Sequence, residues 1–116
     1  MTQRLEIHVD DGAEAMARRF IDAWHRAERG AAVDERHLSF ESWEGLARVL
    51  TGKRLELLRH VHRHAAPSIA ELARALGRDY KRVHADVEAL AAAGLIDRTP
   101  GGLRADYGEI RARIAV

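Results

Sequence analysis

Leu5, Ile7 and Val9 alternate with polar residues, the period of a strand with one buried face. Asp10-Asp11-Gly12 ends that pattern and supplies helix-capping chemistry. Met16, Phe20, Ala23, Trp24 and Ala27 then recur at helical spacing, which predicts a helix from about residue 12 to Arg29, stopped by Gly30. His37–Phe40 alternates again and predicts a second strand. The two strands can pair in parallel across the helix as a β-α-β unit, or antiparallel. Ser42 is a candidate N-cap for a short helix carrying Trp43, Leu46, Val49 and Leu50.

From Thr51 onward the pattern is helical. Thr51 caps a helix with Leu55, Leu58, Val61 and His62 on one face. Ala65-Ala66-Pro67 breaks it. Ser68 caps the next helix, with Glu71 placed for a capping box and Ile69, Leu72, Ala73 and Leu76 as its apolar stripe. Gly77 makes a turn into a further helix with Val83, Val87, Leu90 and Ala91 on one face, ending at Gly94. Leu95–Arg98 and Leu103–Tyr107 read as strands joined by Thr99-Pro100-Gly101-Gly102. A capped helix, a glycine turn, a second helix and a hairpin make a winged helix-turn-helix. The expected fold is therefore α+β and mainly helical, a winged helix-turn-helix with an N-terminal β-α-β extension. The expected organisation is 1–50 as a dimer or partner interface, 51–107 as the winged helix, and 108–116 as a C-terminal tail.

Residues 52–107 resemble the winged-helix domains of MarR-type and ArsR-type bacterial regulators. Leu50–Arg59 and Gly77–Val87 resemble, more particularly, a family of predicted prokaryotic transcriptional regulators. Some of these are encoded beside a small toxin gene and are regarded as antitoxins. The resemblance implies a DNA-binding protein that regulates transcription. An antitoxin that neutralises a toxin partner, with or without autoregulation of its operon, is the alternative it implies.

Charge fits a DNA-binding expectation. The net charge of the chain is only +1, but residues 51–84 carry eight Lys/Arg against three Asp/Glu, while residues 1–50 carry seven against ten. With Val83 at the centre of the buried face, Lys81, Ala85 and Glu88 point outward and Arg82 and His84 flank them. Recognition helices use their N-terminal residues on base edges. The expected DNA-binding residues are Ser68, Arg78, Tyr80, Lys81, Arg82, His84, Arg98 and Arg104. Against this, Arg82 can pair with Asp79 or Asp86 along its own helix, and Arg104 can balance Asp106 or Asp97.

Other chemistry is not expected. His60 and His64 stand at i and i+4 and can share a cation, but no further ligand completes a zinc site, so no metal and no cofactor is expected. No acid–base constellation or phosphate loop argues for an enzyme. The chain has no cysteine and no apolar run long enough for a membrane span, so a cytoplasmic location without membrane contact is expected. A single winged helix has a small footprint and operators commonly match a twofold, so the expected state is a homodimer on double-stranded DNA.

Overall fold

The computed structural model describes residues 3–9, 21, 24 and 35–114 of the chain. They form a small α+β protein. In chain order the elements are β1 (Gln3–Val9), β2 (Glu35–Phe40), α1 (Trp43–Val49), α2 (Gly52–Arg63), α3 (Ile69–Leu76), α4 (Tyr80–Ala92), β3 (Asp97–Thr99), β4 (Gly102–Arg104) and β5 (Tyr107–Ile114). The helix expected between residues 12 and 29 falls outside the described residues, except Ile21 and Trp24, whose backbone is helical. No described helix is long and apolar enough to cross a membrane.

The chain divides into two compact units. One is residues 1–46 with 107–116, and the other is residues 47–106. The first unit holds a three-stranded sheet of order β2-β1-β5. Both pairings are parallel, with Ile7 beside Leu38 on one side and Ala112 on the other. This settles β1 and β2 as parallel. It also corrects two expectations. Residues 108–114, expected as part of a tail, belong to a strand, Tyr107–Ile114, and β4 ends at Arg104 instead of running on to Tyr107. Nor is β1 half-buried. It is the central strand, and Glu6 and His8 are buried on the face opposite Leu5, Ile7 and Val9. Each has a polar partner. Glu6 pairs with Arg4 at 2.9 Å. His8 Nε2 lies 2.8 Å from His37 Nδ1 on the neighbouring strand.

The second unit is built on helix caps that the sequence announces. The Thr51 hydroxyl accepts from the Arg54 N–H at 3.3 Å, and the Ser68 hydroxyl accepts from the Glu71 N–H at 3.1 Å. Gly77 closes α3 in the left-handed conformation, φ 64°, and its N–H reaches back to α3 carbonyls. Leu57, Leu72, Val83, Val87, Leu90 and Leu95 are at most 1% exposed and form the core with Val61 and Ala73. Burying each of the larger side chains contributes about 1.5–3 kcal/mol.

The hairpin β3–β4 turns through Pro100-Gly101, with Thr99 opposite Gly102. It is tied to the linker after α2 by a reciprocal pair of bonds. The Leu103 N–H donates to the Ala66 carbonyl at 2.7 Å, and the Ala66 N–H donates to the Leu103 carbonyl at 3.2 Å. His62 Nδ1–H donates to the Ala105 carbonyl at 2.8 Å, which fixes the strand exit against α2. His62 thus lies on the inward side of its helix, as its spacing predicts. Trp43, expected on an apolar stripe, is half-exposed, and Leu46 is the buried residue of α1.

Candidate nucleic-acid interface

α3 and α4 are joined by the short segment Gly77-Arg78-Asp79. The Asp79 carboxylate accepts from the Arg82 N–H at 3.2 Å and starts α4. Val83, Val87 and Leu90 are fully buried, so the opposite side of α4 faces out. Lys81, Arg82, Ala85 and Glu88 are all exposed there, as the helical angles predict. Tyr80 is half-exposed, and its ring lies 5.9 Å from that of His84, one turn on.

The arginines of this region divide into committed and uncommitted ones. Asp86 decides the division. Arg54 Nε donates to one of its carboxylate oxygens at 3.0 Å, and Arg78 Nη2 donates to the other at 2.8 Å. All three side chains are at most one-fifth exposed. Arg54 also donates from Nη1 to the carbonyls of Arg48 and Val49, at 3.1 and 2.9 Å, and so caps the end of α1. Arg78 was expected to meet DNA. Through Nη2 it also ties the turn to α4, and its side chain is one-fifth exposed. The same geometry removes Asp86 as a partner for Arg82, while Asp79 is occupied as a cap. Among the described residues, neither the Lys81 nor the Arg82 side chain stands in an ion pair.

The hairpin cations are also paired. Arg98 Nη2 donates to Glu88 on α4. The Arg98 guanidinium, first by this hydrogen bond and then by its charge, holds the Glu88 carboxyl below its ordinary pKa, with His84 adding to the effect. His84 Nε2 lies 3.7 Å from the same carboxylate. Arg104 pairs with Asp106 at 3.2 Å, the local balance that its sequence neighbourhood allows. These pairs are about half exposed, screened by solvent and therefore weak. Ser68 remains at the start of α3 with its hydroxyl engaged as the cap. Arg54 and Asp86, which orient the face without forming it, were not among the expected residues. The i to i+32 pairing has no sequence signature.

The site therefore presents two free cations on the first turn of α4, a phenol and an imidazole beside them, and a hairpin whose arginine is tied to the same helix. This array can donate to acceptor atoms of an anionic or base-edge surface. The comparison with family models covers the whole of it. Residues 49–112, just over half of the chain, match the model of the family described as HVO_A0114. The chain belongs to the HVO_A0114 family. The match runs from the end of α1 into β5, so the Arg54–Asp86–Arg78 clamp and the α4 face both lie within the HVO_A0114 region. No curated protein and no solved structure matches the chain.

A metal role for the histidines gains nothing from the geometry. The His60 and His64 rings lie 5.4 Å apart, and among the described residues no group of three His, Cys, Asp or Glu is gathered closely enough to hold an ion.

Proposed function

We propose that this HVO_A0114 family member is a sequence-specific DNA-binding regulator that works as a homodimer. In this reading α3, the glycine turn and α4 are a helix-turn-helix, the β3–β4 hairpin is its wing, and α4 is the helix that enters the major groove. One observation carries the reading: Lys81 and Arg82 are exposed and uncommitted on the first turn of α4, although two acidic residues of the same segment stand near enough in sequence to neutralise them. Asp79 is spent on the cap and Asp86 on Arg54 and Arg78. A surface helix evolved only for solubility has no need of that segregation. A recognition helix does, because its N-terminal donors must reach guanine O6/N7 or phosphate.

The test is duplex binding at two salt concentrations for the wild type and for Lys81→Ala/Arg82→Ala, with sites first selected from a random-sequence duplex pool. Arg82→Ala is expected to cost about 1–3 kcal/mol on the selected site and to relax preference at one base pair. Lys81→Ala is expected to weaken all duplexes about equally and to lower the salt slope by about one unit. A folded double variant that binds like the wild type at both salts would sink the assignment of this face.

A further inference from the structure

The sheet order β2-β1-β5 leaves one long side of the Gly108–Ile114 stretch of β5 without a strand partner among the described residues. β5 is eight residues long, and from Gly108 to Ile114 only Ile110 is partly covered. Such a side offers a row of N–H and C=O groups to another strand. The β5 side chains fall in two rows. Ile110, Ala112 and Ile114 stand in register with Leu5, Ile7 and Val9 and so lie on the same face. The β1 trio is fully buried, whereas Ile114 is 51% exposed. The apolar layer of the sheet thus runs out to its rim and is left open there. Glu109, Arg111 and Arg113 make up the other row, with Arg111 donating to Glu109 at 2.8 Å.

We propose that the free side of β5 pairs antiparallel with β5 of a second copy of this chain, about a twofold axis through Ile110. A twofold perpendicular to the sheet keeps the apolar faces of both copies on one side and brings only residues of the same face opposite each other. The pairing must then be centred on a residue. Centred on Ile110, it sets Ile110 against the partner's Ile110, Gly108 against the partner's Ala112, and Glu109 against the partner's Arg111, the last contact occurring twice by symmetry. Centring on Glu109 or on Arg111 sets that charge against itself. Centring on Ala112 sets Arg111 against the partner's Arg113. Centring on Gly108 or Ile114 leaves most of β5 unpaired, so among registers that pair most of the strand, charge selects one. Charges on an outer strand ordinarily discourage pairing, but here the signs alternate so that a copy of the same strand supplies the complement. The pairing gives the homodimer of the proposed regulator an interface, yet it rests on β5 alone and not on DNA binding.

The chain has no cysteine, which makes a crosslinking test clean. Directly opposed residues of an antiparallel pair have Cα atoms about 4.5–5.5 Å apart, within reach of a disulfide. Under mild oxidation Ile110→Cys is expected to form a covalent dimer. Ile114→Cys is not, because this register separates the two copies of that position by roughly 25 Å. In sedimentation, Glu109→Arg and Arg111→Glu are each expected to weaken self-association about tenfold or more, since each sets like charges opposite one another at two symmetric contacts. An equimolar mixture of the two variants restores complementary charges and is expected to dimerise like the wild type. Both side chains are more than half exposed, so neither change should disturb folding. A wild type that is monomeric at tens of micromolar, crosslinking of Ile114→Cys as fast as Ile110→Cys, or single-charge variants as dimeric as the wild type would overturn the proposal. Duplex binding measured on the same samples separates the two readings, because a monomer that still binds duplex through Lys81 and Arg82 rejects β5 pairing and leaves the DNA reading standing.

Discussion

Asp86 shows how one carboxylate can set the character of a surface. It holds Arg54 and Arg78 in a cluster at most one-fifth exposed, and by doing so leaves Arg82 unneutralised. Removing it strands two guanidinium groups in a poorly solvated place. Asp86→Ala is accordingly expected to destabilise the protein by about 3 kcal/mol, whereas Arg82→Ala, a change at an exposed and unpaired side chain, is expected to stay within about 0.5 kcal/mol. Urea unfolding of the two variants checks this, and equal losses would mean that the clamp is not structural. The outward set of α4 was readable in advance, because Lys81, Arg82 and Glu88 follow from the angle to Val83 alone. The ion pairs of Arg78 and Arg98 were not. Both are basic residues close to the turn or the hairpin, and their pairing depends on carboxylates eight and ten positions away along the chain that the fold brings alongside.

At the scale of elements, local signals carried most of the second unit. Thr51, Ser68 and Gly77 cap helices where their side chains or conformational freedom predict. Of the apolar stripes, Leu58, Val61, Leu72, Ala73, Val83, Val87 and Leu90 are buried, Leu55, Ile69, Leu76 and Ala91 are partly covered, and the fully buried Leu57 lies outside the expected face of α2. The hairpin shows a constraint that no pattern announces. Gly102 has φ 126°, and a Cβ added there would overlap the Ala66 carbonyl oxygen and come within 2.8 Å of the Pro67 Cα. Both are backbone atoms with little room to move. Gly102→Ala is therefore expected to cost about 2–4 kcal/mol, through positive-φ strain and forced separation of the hairpin from the linker. The loss should appear as a lower thermal midpoint, with faster amide exchange at Leu103 and Ala66. Gly101→Ala, which meets nothing closer than the Thr99 hydroxyl at 3.8 Å, is the matched control and should be mild. In the first unit the strands were harder to read. β1 looked half-buried because Glu6 and His8 are polar, yet both are buried beside polar partners. β5 was missed although Ile110, Ala112 and Ile114 alternate with Glu109, Arg111 and Arg113, because a short, charged alternation at a chain end looks the same as a solvated tail.

For the molecule as a whole, the important pairing joins Gln3–Val9 to Tyr107–Ile114, segments about a hundred residues apart in the chain. Periodicity is a local property and cannot report a contact of that range. For the same reason the division into 1–46 with 107–116 on one side and 47–106 on the other could not be drawn from the sequence, where the helical run simply begins near Thr51.

That long-range ladder has a consequence in time. During synthesis β1 leaves the ribosome about a hundred residues before the strand that completes its sheet. The intervening residues 47–106 hold α2, α3 and α4, whose contacts are mostly near in sequence, so they can close early. Ordering the β1–β5 ladder demands a much larger loop closure and should come later. The chain carries its own reporters of this order. Both tryptophans, Trp24 and Trp43, lie in the first unit, while the helices α2–α4 that dominate far-ultraviolet dichroism lie in the second. In stopped-flow refolding the helical signal is expected to recover in an earlier phase than tryptophan fluorescence. Deleting residues 107–116 should abolish the fluorescence phase and leave the early one in place. Coincident phases in the full-length chain would instead mean that the two units fold as one cooperative body, with the outer strand recruited at the same barrier as the helices.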